Sequence, residues 1–337
     1  MATGFGTGTR AALTLAALLL GCVPAMARDH TLRLATWGSP SAPQVSAFVA
    51  AFTRFVHEGS QGTITVQHFP AGSLVKEQVV PQSVETRVAD ISLATIGSLA
   101  TIAPAAAAMD TVFFRPPEAG FEAAVGPGTP LFKTLDEGLA KRGMRLLAVL
   151  DNGPPMVISR RAMTTPQAFK GRTIRAYDRL SAEIIRELGG APSTLSVSDV
   201  YPALERGTVE GALGGLQGMT GLREYEVARH LLDPNGLFSV GVTVYVISAA
   251  ALAELPGSLR KVVIDAGYRA GTVANKAIIA SFKDDLSRMR DHGVTVTTLE
   301  PGSAAYQAFA QALEPMAQAE QKKYPAALVH EVLRANQ

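Results

Sequence analysis

Thiols are almost absent. The one cysteine, Cys22, lies in an apolar N-terminal segment, so a chain cut after that segment has no disulfide, no thiolate nucleophile and no zinc–sulfur site. Histidine is sparse as well: the six (His30, His57, His68, His230, His292, His330) are scattered, with no pair at metal-ligand spacing. No metal and no cofactor is expected. Charge of one sign is lacking too. The 31 basic residues nearly cancel the 29 acidic ones, net charge is +2, and no Lys/Arg run reaches five. That removes the electrostatic case for a nucleic-acid partner. The sequence holds no G-x-S-x-G elbow, no phosphate loop ending in Gly-Lys-Ser/Thr and no His-Glu-x-x-His. No 20–50-residue period marks a solenoid. Past the N-terminus no run approaches the roughly 20 apolar residues of a membrane-spanning helix.

What is present begins with an export signal. Arg10 supplies a positive start, Ala11 to Leu20 is apolar but short, and Ala25-Met26-Ala27 forms an A-x-A cleavage site. The mature chain is expected to start at Arg28 and to be released into the periplasm. The competing reading is a lipoprotein, because Leu19-Leu20-Gly21-Cys22 is close to a lipid-attachment box. Both readings place the protein outside the cytoplasm. With 337 residues, 47% of them apolar, the chain can bury one large core or two medium ones.

The pattern alternates strands and helices. Strands are expected at 31–37, 63–68, 91–95, 144–150, 157–159, 173–177 and 242–247. Between the first two, Val45, Phe48, Val49, Phe52, Phe55 and Val56 share one helical face, and Gly59 and Gly62 end that helix. Ser181 is expected to cap a helix that Gly189 ends, and Ser198 to open another that stops near Gly207. This grammar predicts an α/β fold with mostly parallel sheets. Ser258 to His292 contains no proline. As one helix it is about 50 Å long, enough to brace two domains; two helices broken near Gly267 or Gly271 are the alternative.

Two places carry candidate chemistry. In Lys170-Gly171-Arg172-Thr173-Ile174-Arg175-Ala176-Tyr177-Asp178, a strand puts Thr173, Arg175 and Tyr177 on one face. An arginine there is costly to desolvate unless an anion meets it, and its planar fork suits a carboxylate. That anion is either a ligand or a nearby Asp or Glu. Trp37, the sole tryptophan, lies just past the first strand, before Gly38-Ser39-Pro40. Ligands of open α/β sheets sit outside such strand ends, although Trp37 also suits the edge of a core. The run Gly211 to Gly218 lacks the G-x-G turn of a dinucleotide site and reads as a tight loop.

These residues resemble the extracytoplasmic solute receptors of TRAP transporters, the DctP-type family, over nearly the whole mature chain. The family pattern lKGlKiR is similar to Phe169-Lys170-Gly171-Arg172-Thr173-Ile174-Arg175. A second pattern is similar to Gly190-Ala191-Pro192 followed by Ser198 to Gly211, with Asp199 and Glu210 as swapped acids. Gly62 to Val66, Pro70-Ala71-Gly72-Ser73-Leu74 and Leu252-Ala253-Glu254-Leu255-Pro256 match as well. The resemblance implies a two-domain, periplasmic-binding-protein-like clam-shell with a long domain-spanning helix at about 258–292. The expected division is 1–27 as signal, 28–152 plus 241–280 as domain I, and 153–240 plus 281–337 as domain II. The resemblance further implies that Arg175 pairs with a ligand carboxylate. Trp37, Thr95, Ile96, Gly97, Tyr177, Gly214, Gly215, Gln217 and Tyr245 would line the cleft.

The implied protein is a monomer and not an enzyme. It captures a small organic acid and delivers it to the membrane permease subunits of a TRAP transporter. Sialic-acid receptors of the family carry a further arginine where this chain has Asn152 to Pro155, and an asparagine at the position of Gly214. A smaller or more apolar acid therefore fits better, its body packed by Trp37 and Tyr245. The rival readings are a receptor for an ATP-driven importer or a sensor, a periplasmic enzyme acting on a carboxylate, and a structural protein.

Overall fold

The computed structural model describes residues 1, 30–116 and 120–336. The expected signal, its cleavage site and Cys22 lie outside the described residues. The first lobe begins with β1 (His30–Ala35), α1 (Pro43–Gly59), β2 (Ile64–Phe69), α2 (Val80–Glu85), β3 (Ile91–Thr95) and α3 (Ile96–Leu99). It continues through α4 (Pro104–Met109), α5 (Phe121–Val125), α6 (Pro130–Ala140) and β4 (Met144–Asp151). The second lobe holds β5 (Met156–Ser159), β6 (Thr173–Ala176), α7 (Arg179–Glu187), β7 (Ala191–Thr194) and α8 (Val197–Arg206). β8 (Gly211–Gly214), α9 (Leu216–Gly221) and β9 (His230–Asp233) complete its first pass. The chain then returns as β10 (Val242–Ser248) and α10 (Ala249–Glu254). It ends with α11 (Gly257–Asp291), β11 (Thr295–Thr298), α12 (Ala304–Gln321) and α13 (Ala326–Ala335).

The sheets run β2-β1-β3-β10-β4 and β11-β9-β5-β8-β6-β7. They are mixed, not mostly parallel as the alternating pattern suggested. β10 is antiparallel to β3 and β4, and β5 is antiparallel to β8 and β9. The cause is connectivity. β5 and β10 have each just crossed from the other lobe, enter at the end facing the gap, and run against their neighbours.

Each sheet is covered on both faces. Val45, Phe48, Phe52 and Val56 of α1 are buried on one face of the first sheet, and α4, α5 and α6 cover the other. The 35-residue α11 is continuous, about 52 Å long at 1.5 Å per residue. It packs on α1 and β4 in the first lobe and on α9 and β11 in the second. Gly267 and Gly271 do not break it. They let it press onto β4, where a Cβ would come within 2.8 Å of Leu147 Cβ and 2.9 Å of Ala148 Cβ. Asn275 pins the helix to the end of β4, accepting from Asp151 N at 3.0 Å and donating to Val149 O at 3.1 Å.

Local boundaries differ in instructive ways. Asp178, not Ser181, caps α7. Ser181 is the third residue of a capping box, its N–H donating to Asp178 Oδ1 at 2.8 Å while its Oγ accepts from Asp178 N at 3.0 Å. The first half of the glycine run is the strand β8, where a Cβ on Gly211 would fall 2.9 Å from Ile158 O. The end of the chain also departs from the expected division. Leu328 and Val332 of α13 are buried in the first lobe's core with Met109, Leu131 and Phe132, so 326–335 packs there and not with 281–325. An amphipathic helix docks where an apolar face awaits cover, and α4–α6 provide it.

Candidate functional site

The two lobes enclose a cavity of about 80 Å³. It sits beyond the carboxyl ends of β1, β3, β4, β6 and β8 and at the amino ends of β5 and β10. Trp37, Thr95, Ile96, Arg175, Tyr177, Gly214, Gly215 and Gln217 all line it. Two expected residues do not. Tyr245 is fully buried, its ring stacked on Phe48 at 3.5 Å between centroids, its hydroxyl donating to Gln44 O at 3.0 Å. β10 enters at the cavity, so its first residues, Val242 and Thr243, form the wall, and Tyr245 lies two residues deeper in the core. Gly97 is a contact between lobes. A Cβ there would come within 2.5 Å of Asp178 Oδ2 and 3.1 Å of Asp110 Oδ2.

Arg175 is 4% exposed. Its Nε donates to Leu195 O at 3.0 Å and its Nη1 to Leu213 O at 3.2 Å. Backbone carbonyls after β7 and in β8 thus orient the guanidinium, which lies 5.5 Å from the Tyr177 ring centre. Its Nη2 is 3.5 Å from Glu77 Oε2 across the gap. An acid of the other lobe thus meets this arginine, as one of the two readings expected, and the guanidinium also lines the cavity.

Sequence reasoning missed the acids. Glu77, Asp110, Asp178 and Glu224 line the cavity beside its one basic residue, Arg175. Burial pushes the Glu77 carboxyl up to about 7, Arg175 pulling it down and Asp178 adding to the rise. Burial likewise takes Glu224 up to about 7 against the pull of Arg175. Asp110 is raised well above the usual carboxylate range by burial and by Asp178, and Asp178 is raised by burial against its Ser181 hydrogen bonds. Several buried polar atoms have no hydrogen-bond partner among the described residues: Glu77 Oε2, Asp110 Oδ2, Glu224 Oε2, Gln44 Oε1, Trp37 Nε1 and both amide atoms of Gln217. Each such group costs about 1–3 kcal/mol, which a fold bears where it recognises something. The one hint in the sequence was Glu77, a charge set among Val75, Val79 and Val80; nothing marked Glu224.

The lobes meet at a narrow joint. Asn152 N donates to Gly241 O at 2.7 Å and Gly241 N to Gly153 O at 2.8 Å, so two crossing segments run side by side. Arg179 of α7, in the second lobe, also reaches Asp110 Oδ2 of the first at 3.6 Å. The arrangement is a concave site between two lobes with a guanidinium held by two carbonyls in its wall.

The model of the bacterial extracellular solute-binding protein family 7, DctP, matches residues 34–323. The chain belongs to this family. Among DctP-type relatives, the sialic acid-binding periplasmic protein SiaP of Vibrio cholerae is 25% identical over 312 residues, 90% of this chain and 92% of its own. The C4-dicarboxylate-binding periplasmic protein DctP of Rhodobacter capsulatus is 25% identical over 280 residues, 81% of each chain. The sugar acid binding protein DctPAm of Advenella mimigardefordensis, solved with galactonate, has a TM-score of 0.84 at 20% identity, covering 92% of this chain and 98% of its own. The clam-shell of the DctP family is therefore the fold, and solute binding is the family's function. No helix among the described residues is long and apolar enough to cross a membrane.

Proposed function

We propose that this protein captures a small organic acid between its lobes, pairs the carboxylate with Arg175, and passes it unchanged to the membrane permease of a TRAP transporter. The observation that carries the reading is Arg175 itself, 4% exposed, oriented by two carbonyls and lining the interlobe cavity. A guanidinium fixed in this way recognises a planar anion at little ordering cost. The relatives' names speak of sialic acid, C4-dicarboxylates and galactonate, all of which carry a carboxylate. Trp37, Tyr177, Gly214, Gly215, Gln217, Thr95 and Ile96 surround the guest, and Gly97 and Tyr245 support the wall from behind. The protein works in the periplasm as a monomer, exported by its N-terminal signal, and holds its acid without transforming it.

Opening at Asn152–Gly153 and Gly241 admits the acid. Binding between the lobes favours the closed form because only that form brings both walls to the ligand. The test is a thermal-shift screen against mono- and dicarboxylates. An acid present at about 100 times its Kd adds about 2.7 kcal/mol of stability, a rise of several degrees in Tm. If no carboxylate moves the transition, the assignment is wrong. A carboxylate that the protein converts to product would instead favour an enzyme.

A further inference from the structure

We propose that the preferred ligand is a compact zwitterion, its carboxylate on Arg175 and a cationic nitrogen at Glu224. This rests on the carboxylate-receptor reading above and narrows it to a substrate class.

The cavity's charge balance points away from a plain anion. Four acids face one arginine, with no lysine or second arginine in the wall. Three of the acids are engaged: Glu77 lies 3.5 Å from Arg175, Asp110 lies 3.6 Å from Arg179, and Asp178 accepts the Ser181 N–H at 2.8 Å. Glu224 is not engaged in this way. It is 3% exposed, it lines the cavity, and its Oε2 has no partner among the described residues. The charge that bears on it is Arg175, which Glu77 already meets. Gln217, 2% exposed with both amide atoms unpartnered, supplies a further donor and acceptor in the same wall.

A dicarboxylate would set its second negative group among like charges, which is unfavourable. A polyhydroxy acid needs a polar partner for each hydroxyl, yet Ile96, Leu180, Val197, Val200, Leu213 and Met219 make much of the wall apolar. A zwitterion adds no net charge. Its cation gives the Glu224 carboxylate a partner, and Trp37 adds an aromatic side chain to the lining of the same cavity. Among the described residues no three His, Cys, Asp or Glu side chains are placed to hold a metal ion, so the complement to Glu224 is sought in the ligand.

The test uses pairs of equal shape that differ in charge. Glycine betaine is compared with 3,3-dimethylbutanoate, leucine with 2-hydroxy-4-methylpentanoate, and 4-aminobutanoate with 4-hydroxybutanoate. Glucuronate and succinate serve as polyhydroxy and dianionic probes. Titration calorimetry on the full mature chain is expected to find one zwitterion bound at least tenfold more tightly than its isosteric anion and than either probe. Glu224→Gln should shrink that preference at least tenfold while raising the ligand-free Tm, since a buried uncompensated acid is gone. If the anions, glucuronate or succinate bind more tightly than every zwitterion, the proposal falls and the carboxylate-receptor reading stands. If nothing carrying a carboxylate binds, both fall. A zwitterion preference unchanged by a folded Glu224→Gln would overturn the placement of the cation.

Discussion

Glu77→Gln isolates the acid that already meets Arg175. At 3.5 Å and an effective dielectric of about 20, the pair's gross attraction is about 5 kcal/mol. A ligand anion can displace Glu77 against that attraction, or Glu77 can take up a proton. Its carboxyl is pushed up to about 7 by burial, with Asp178 adding to the rise and Arg175 opposing it. Neutralising it therefore costs nothing below pH 6 and about 1.4 kcal/mol for each pH unit above 7. At pH 8.5 the cost is about 2 kcal/mol, well under the 5 of outright displacement, so protonation is the cheaper route. Binding of an anion to the native protein should then weaken about thirtyfold between pH 6 and 8.5, with proton uptake. Glu77→Gln, which mimics the neutral acid, should bind with a nearly flat profile, matching the native protein at pH 6 and exceeding it about thirtyfold at pH 8.5. Calorimetry of the tightest anion from the screen, in two buffers of different ionisation heat, reads affinity and proton uptake together. Parallel pH profiles for the two proteins would refute the coupling.

The same buried acids set the ligand-free stability. Glu77 and Glu224 have folded values of about 7 against an ordinary 4.5, so between those values the folded state holds more protons than the unfolded one. Stability must fall as pH rises through this window: Tm should be higher at pH 5.5 than at pH 8, and the double variant Glu77→Gln, Glu224→Gln should flatten the slope. A ligand-free Tm that climbs from pH 5.5 to 8 would contradict this. At the joint, a Cβ on Gly241 would lie 2.7 Å from Gly153 O, so Gly241→Ala must part the crossing segments at a cost of about 1–3 kcal/mol. Its Tm and its ligand affinity should both drop; unchanged affinity would show that the joint does not govern closure.

Much of the scaffold was legible because its signals are local. The apolar face of α1, the β-branched run Val242 to Ile247 and the proline-free stretch of α11 each state their structure within a few turns of chain. The arginine was legible because a charge flanked by Ile174 and Ala176 demands an explanation. What escaped notice depends on distant partners. β7, β9 and β11 have only four residues each and exist because neighbours complete them, Pro192 being tolerated at the sheet edge. Tyr245 and Thr243, two residues apart, share a face of β10 by period, but depth from the cavity, which periodicity does not encode, sends one to the core and the other to the wall. Glu224 follows Arg223, a residue at φ 58°, and no spacing rule shows that this turn aims a carboxyl inward.

The direct measurement is the affinity of Arg175→Ala for the best carboxylate of the screen, with folding checked by its thermal transition. Removing the guanidinium strands the ligand's charge in a buried site, a loss of about 3–5 kcal/mol, or about 150-fold to several thousandfold in Kd. A folded variant that binds within threefold of the native protein would mean that the carboxylate is held elsewhere.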